Sequence, residues 1–211
     1  MIGEYNKSVI LTYIGIAIAL LGIWYSVEGN ISVAMICLIV AGICDLFDGK
    51  IARMCARSER AKAFGVQIDS LADVMSFLIL PVMIGCKVVS NTLVVMKLIY
   101  ILYVLAGIIR LAWFNMTTHL EGDRSYYQGL PVTYMALILP TIYLLLQGLQ
   151  WLAPLLFKNL SGHISSCVML GIYIIVGVFF IWDIKVPKPK GKWYIVFLLL
   201  AIVETTLLIV V

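Results

Sequence analysis

An all-α polytopic membrane bundle is the fold class this sequence predicts, and three observations predict it. Of the 211 residues, 63% are hydrophobic and only 12% charged, with a mean hydropathy of +1.07, whereas the surface of a water-soluble globule needs about twice that charged fraction. Apolar runs long enough to span a bilayer recur along the whole chain. The basic residues collect in the polar gaps between runs, alternately dense and sparse, as in a chain that crosses a membrane repeatedly.

In order, the runs cover about 8–27, 31–53, 63–86, 92–115, 130–148, 163–182 and 193–210. Seven spans are expected. Pro140 and Pro154 either kink one long helix after Pro131 or set off a short extra one, which widens the range to six to eight. Each span takes about 20 residues and the gaps are short, so residues 1–211 are expected to form a single domain. The opening 1–7 leads into a run too long for the h-region of a cleavable signal, and the first run is expected to remain as a helix. Trp24, Trp113, Trp151, Trp182 and Trp193 lie near predicted helix ends, where indoles favour the interface.

Lys7, then Arg53, Arg57, Arg60 and Lys62, then Arg124, then Lys185, Lys188, Lys190 and Lys192 fall on one side of this layout; Glu28, Lys87 and Lys158 fall on the other. The positive-inside rule makes the first side cytoplasmic, including the 54–62 and 116–129 loops and the Pro/Lys segment 186–192. Seven spans would leave the C-terminus outside. The net charge of +4 is modest and forms no stripe, so lipid headgroups rather than nucleic acid are the expected partners, with the Pro/Lys segment touching anionic lipid. Cys37, Cys44, Cys55, Cys86 and Cys167 contain no C-x-x-C pair, which argues against zinc or a disulfide framework; they are expected to be small core residues.

Four aspartates interrupt this apolar chain. They lie in Asp45-Leu46-Phe47-Asp48-Gly49-Lys50-Ile51-Ala52-Arg53 and, after eleven residues, in Gly65-Val66-Gln67-Ile68-Asp69-Ser70-Leu71-Ala72-Asp73. Burying an ion in hydrocarbon costs several kcal/mol, so intramembrane acids usually face a cavity, a cation or a substrate path. Asp45, Asp48 and Ala52 share one face of the second helix; Gly65, Asp69 and Asp73 share one face of the third. An antiparallel hairpin brings the four carboxylates together, where they would repel one another unless cations sit between them. Oxygen-only ligands suit hard ions such as Mg²⁺ or Mn²⁺, and a metal pair is the economical arrangement.

Gly49 and Gly65 remove side chains beside this cleft, so that a nucleotide or phosphate can approach the backbone. Arg53 offers a phosphate two hydrogen bonds. The bland alternative is that the acids only pair with Arg53, Arg57, Lys50 and Lys62 to stitch the hairpin; a cation transporter is another. Against transport, the acids cluster at one end of a hairpin rather than through the bilayer depth. His119 and His163, in or beside predicted loops, are expected to be solvated. Glu204, midway along the last run, is expected to line a protein contact or to stay neutral, without a catalytic role.

The pattern Asp-x-x-Asp-Gly-x-x-Ala-Arg followed by Gly-x-x-x-Asp-x-x-x-Asp resembles the signature of the CDP-alcohol phosphatidyltransferases, integral membrane enzymes of phospholipid synthesis. All eight positions match: Asp45, Asp48, Gly49, Ala52, Arg53, Gly65, Asp69 and Asp73. The eleven-residue gap is longer than is usual in the family, an insertion that a loop tolerates if both helix faces keep their phase. The resemblance implies that Asp45, Asp48, Asp69 and Asp73 bind metal, that Asp73 also takes the proton of the attacking alcohol, and that Gly49, Ala52, Arg53 and Gly65 line the CDP pocket.

Ile109-Arg110-Leu111-Ala112-Trp113-Phe114-Asn115, Gln128-Gly129-Leu130-Pro131 and the run 69–77 resemble segments of the family's phosphatidylserine synthase branch, although Trp113 stands where that branch more often has arginine. That branch implies CDP-diacylglycerol and L-serine as substrates, with Arg110 and Asn115 binding substrate; glycerol 3-phosphate, inositol and inositol phosphate remain open as acceptors. Alternatively, Arg110 anchors the fourth helix at the interface, and Asn115 and Thr133 are interhelical hydrogen-bond partners. By the positive-inside reading the aspartate-bearing ends of both helices open toward the cytoplasm, with the cell membrane as the expected location, and the resemblance leaves a homodimer open.

Overall fold

The computed structural model describes residues 3, 9–55, 57–89, 94–121, 126–152, 161–189 and 191–210. Seven helices stand among the described residues where seven apolar runs predict them: α1 (Ile10–Glu28), α2 (Ile31–Met54), α3 (Glu59–Val88), α4 (Val94–Glu121), α5 (Met135–Leu152), α6 (Ser161–Ile181) and α7 (Lys192–Val210). Six are long and apolar enough to cross a membrane; the described apolar stretch of α6, Ser165–Ile181, is shorter. Their outward faces are covered with exposed Leu, Ile and Val, and all five tryptophans are exposed. In lipid such faces are solvated. Pro140 lies inside one continuous α5, while Pro154 falls outside the described residues.

Helices α1 and α2 form a tight hairpin because α1 buries a stripe of small side chains, Thr12, Gly15, Ala19, Gly22 and Ser26. Small residues let helix backbones approach in a solvent that offers no hydrophobic drive. Gly22 is required by that approach: a Cβ there would lie 2.8 Å from Cys37 Cβ and 2.9 Å from Leu80 Cδ2. Asn30 starts α2 by accepting the Val33 N–H at 3.3 Å, and Ser58 starts α3 by accepting that of Ala61 at 3.1 Å. Helix α2 is the hub, packing on α1, α3, α5 and α7, whereas α4 packs chiefly on α6.

The third helix contains a feature that hydropathy does not reveal. From Val74 to Ile79 it widens to π geometry, with the Leu80 N–H donating to the Met75 carbonyl five residues back. Pro81 follows and has no N–H to offer the Phe77 carbonyl four residues earlier. The Tyr103 hydroxyl of α4 donates to that carbonyl instead, at 2.7 Å, and Tyr103 is 1% exposed. An unpaired buried carbonyl would cost about 1–3 kcal/mol, so this tyrosine stabilises the widened turn directly after Asp73.

The predicted 116–129 loop is mostly structured. Helix α4 continues to Glu121, and Tyr126–Gln128 (β1) pairs antiparallel with Lys185–Pro187 (β2), Tyr127 opposite Val186. This two-strand clasp joins the α4–α5 connection to the α6–α7 connection. Part of the Pro/Lys segment is therefore a strand, and two lysines in or beside that strand lie over aromatic rings, Lys185 over Tyr126 and Lys188 over Tyr127, each 5.2 Å from the centroid. Gly129 secures the clasp to α6: its N–H donates to the Ile184 carbonyl at 2.9 Å, its φ is +72°, and a Cβ there would meet the Phe180 carbonyl oxygen at 2.5 Å.

The cysteine expectation needs correction. Cys44 is buried, but Cys86 and Cys167 are exposed on helix surfaces, where a thiol facing lipid carries no desolvation cost of the kind an ion would.

Candidate active site

The α2–α3 hairpin brings the aspartates together. Carboxylate oxygens of Asp45, Asp48 and Asp69 all lie within 4.8 Å of one another. Asp73, one turn beyond Asp69, is buried and reaches the Asp45 carboxyl, as Asp69 reaches that of Asp48. The i, i+3 spacing on α2 and the i, i+4 spacing on α3 place all four on facing stripes, because α3 keeps regular α geometry up to Asp73 and widens only after it. Clustered carboxylate oxygens, half-buried or buried, form a donor set suited to a hard divalent cation.

Among the described side chains, the basic residues of the hairpin have other neighbours. Lys62 pairs with Glu59 at 2.7 Å, and Lys50 lies over the Tyr194 ring at 3.5 Å. Arg57 places Nη1 near Gly65. The Arg53 side chain is outside the described residues, as are those of His119 and His163, whose backbones are helical rather than in loops. Gly49 is exposed and an added Cβ would meet nothing within 4 Å; at Gly65 the nearest atom would be 3.6 Å away. Packing among the described residues thus demands glycine at neither position. Ala52 is half-buried one turn after Asp48.

One partner of the cluster has no counterpart in the sequence expectations. The Thr12 hydroxyl of α1 donates to Asp48 Oδ2 at 3.1 Å, with both residues buried. The signal was the periodic stripe of small residues on α1, which places Thr12 on the face turned to α2.

Arg110 is not an exposed interfacial anchor. It is 7% exposed, and its guanidinium lies near enough to Asp73 and Asp45 to interact electrostatically with both. Its Cζ is 5.2 Å from the Phe114 ring centroid and 5.9 Å from that of Tyr127, while Nε has no hydrogen-bond partner among the described groups. Burial pushes the Tyr127 phenol above its ordinary value, with Arg110 opposing, so this ring stays neutral beside the carboxylates. Asn115 takes the interhelical option: Nδ2 donates to Ser70 Oγ at 2.7 Å, tying α4 to the residue after Asp69. Thr133 is half-buried in the turn Val132–Tyr134 that leads into α5.

Glu204 lies apart from this cluster and is 2% exposed on α7, accepting a hydrogen bond from the Thr141 hydroxyl of α5. Its hydrogen-bond partner is thus a neighbouring helix of the same chain.

Fold and site together define a class, the polytopic helical membrane proteins with an aspartate cluster on one helical hairpin. The profile of the CDP-alcohol phosphatidyltransferase family matches residues 5–182, and the chain belongs to that family. It is an integral membrane protein. Over 168 residues it is 34% identical to the CDP-diacylglycerol–serine O-phosphatidyltransferase of Saccharomyces cerevisiae, covering 72% of this chain and 57% of that one. The archaetidylserine synthase of Methanothermobacter thermautotrophicus is 30% identical over 171 residues, 81% of this chain and 65% of that one. The CDP-diacylglycerol–serine O-phosphatidyltransferase of Helicobacter pylori is 27% identical over 203 residues, 95% of this chain and 80% of that one. The chain thus spans less than two thirds of the length of the first two relatives.

Proposed function

We propose that this protein moves the phosphatidyl group of CDP-diacylglycerol to the hydroxyl of L-serine, giving phosphatidylserine and CMP. The observation that carries this reading is the convergence of Asp45, Asp48 and Asp69, with Asp73 beside Asp45, at the family's signature positions on α2 and α3. The names of the relatives support serine as the acceptor.

Asp45, Asp48, Asp69 and Asp73 would hold Mg²⁺ or Mn²⁺, most economically two ions, and such ions supply neutralising charge to a diphosphate whose P–O bond is breaking. Gly49 and Gly65 leave the nucleotide a path to the hairpin backbone, with Ala52 and Arg53 beside it. Asp73 takes the serine hydroxyl proton as the oxygen attacks the lipid-side phosphorus, and CMP leaves. Arg110 and Asn115 stand on the acceptor side, where a cation beside the carboxylates suits a substrate that carries its own carboxylate. The basic residues around 53–62 and 185–192 support an orientation with this end at the cytoplasmic face.

The test is CMP release by purified protein given CDP-diacylglycerol, Mg²⁺ or Mn²⁺ and, separately, serine, glycerol 3-phosphate, inositol or inositol phosphate. Serine is expected to stimulate release far above the others. Preference for another alcohol would discard serine, and no release with any would discard transfer. The contact from Thr12 gives a second expectation. Thr12→Val removes the donor while keeping the shape, and loss of such a supporting hydrogen bond typically weakens metal binding by about 10–100-fold. A Mn²⁺ titration of the variant checks this, and an unchanged affinity would exclude the role.

A further inference from the structure

Arg110 is a buried cation held without a full set of hydrogen bonds. Its Nε has no partner among the described groups, and two rings contact the guanidinium, Phe114 one turn along on α4 and Tyr127 from the clasp. The two rings also meet each other, with centroids 6.0 Å apart. Phe114 shares a helix with Arg110 and follows it wherever α4 goes. Tyr127 does not: its position is set by pairing with Val186 and by the Gly129 and Leu130 N–H groups, which donate to the carbonyls of Ile184 and Phe179. A cation placed over an aromatic face in a desolvated site is oriented by that ring.

We infer that Tyr127 is a positioning residue: its ring, fixed by the β1–β2 clasp, holds the Arg110 guanidinium toward Asp45 and Asp73 and so shapes the acceptor side of the site. The acceptor part of this inference rests on the function proposed above; the positioning part does not. The holding is assigned to the ring, which Arg110 Cζ overlies at 5.9 Å from the centroid, and Tyr127→Phe separates the ring from the hydroxyl. The clasp thereby links two connections, far apart in sequence, to one side chain beside the carboxylates.

The experiment uses the full chain with Tyr127→Phe, Tyr127→Leu and Tyr127→Met, the last keeping apolar bulk without an aromatic face in case leucine impairs folding. The rate at which phenylglyoxal labels Arg110, read by mass spectrometry without substrates, reports its shielding. KM for serine, KM for CDP-diacylglycerol and kcat are measured in parallel. Phenylalanine is expected to match the wild type. The variants without a ring are expected to label faster and to raise the serine KM by roughly tenfold, the scale of a desolvated cation–π contact, with the CDP-diacylglycerol KM little changed. Unchanged labelling in those variants overturns the inference, as does faster labelling with an unchanged serine KM, or phenylalanine as defective as leucine. If the wild type releases CMP with no alcohol, the proposed function fails, and labelling alone still decides whether Tyr127 positions Arg110.

Discussion

Asp73→Asn is expected to bind CDP-lipid nearly as well as the wild type while its turnover falls by about 10²–10⁴-fold, the usual contribution of a positioned general base. Asparagine keeps the shape of the side chain and one oxygen but loses basicity. Asp73 stands beside Asp45 and outside the tight trio of oxygens formed by Asp45, Asp48 and Asp69, so the trio survives the change. An interaction used mainly in the transition state affects kcat more than binding. A nucleotide titration beside a rate at saturating substrate decides the matter: near-normal turnover removes Asp73 as the base, and lost nucleotide binding recasts it as chiefly a metal ligand.

Removing divalent metal should abolish transfer, and Asp45→Asn, Asp48→Asn or Asp69→Asn should each weaken nucleotide binding as well as rate. Each substitution deletes a charged oxygen from a group whose members lie within 4.8 Å of one another. Hard cations depend on charged oxygen ligands, so one loss from so small a donor set is felt in full. The contrast with Asp73→Asn is the informative part, because here binding and turnover fall together. Full activity in EDTA-treated, metal-free protein would eliminate the metal from the reading.

The seven helices and the four aspartates were legible in the sequence for the same reason. Spanning runs are dictated by the thickness of hydrocarbon, and against that background each ionisable residue stands out. Thr12 was not legible as a partner of Asp48, since one hydroxyl in an apolar helix costs little and draws no attention; only the small-residue stripe beside it marked the face. The π-turn after Asp73 was invisible because one extra residue per turn leaves hydropathy unchanged, although Pro81 required some donor for the Phe77 carbonyl. A strand as short as Tyr126–Gln128 shows no alternation to read, and its partner lies beyond two helices. Arg110 was left between anchor and ligand because a cation near a helix end serves either role until the neighbouring elements are placed; Tyr127, on the unread strand, was one of those neighbours.

Helix α4 runs from Val94 to Glu121, 28 residues or about 42 Å, against a hydrocarbon core of about 30 Å. The excess of about 12 Å is about eight residues, which counted back from Glu121 takes in Asn115 and leaves Arg110 about one turn inside, so the candidate site lies at the boundary of two phases. In the proposed reaction one substrate diffuses within the sheet of lipid and the other arrives from bulk water, so their concentrations have different units at the same carboxylates. Occupancy by CDP-diacylglycerol should accordingly follow its mole fraction in a vesicle and stay constant when total lipid is diluted with buffer, whereas occupancy by the alcohol should follow molarity. Rates measured while vesicle composition and vesicle concentration are varied separately would show it, and a dependence on bulk CDP-diacylglycerol at fixed mole fraction would place the lipid's entry in water.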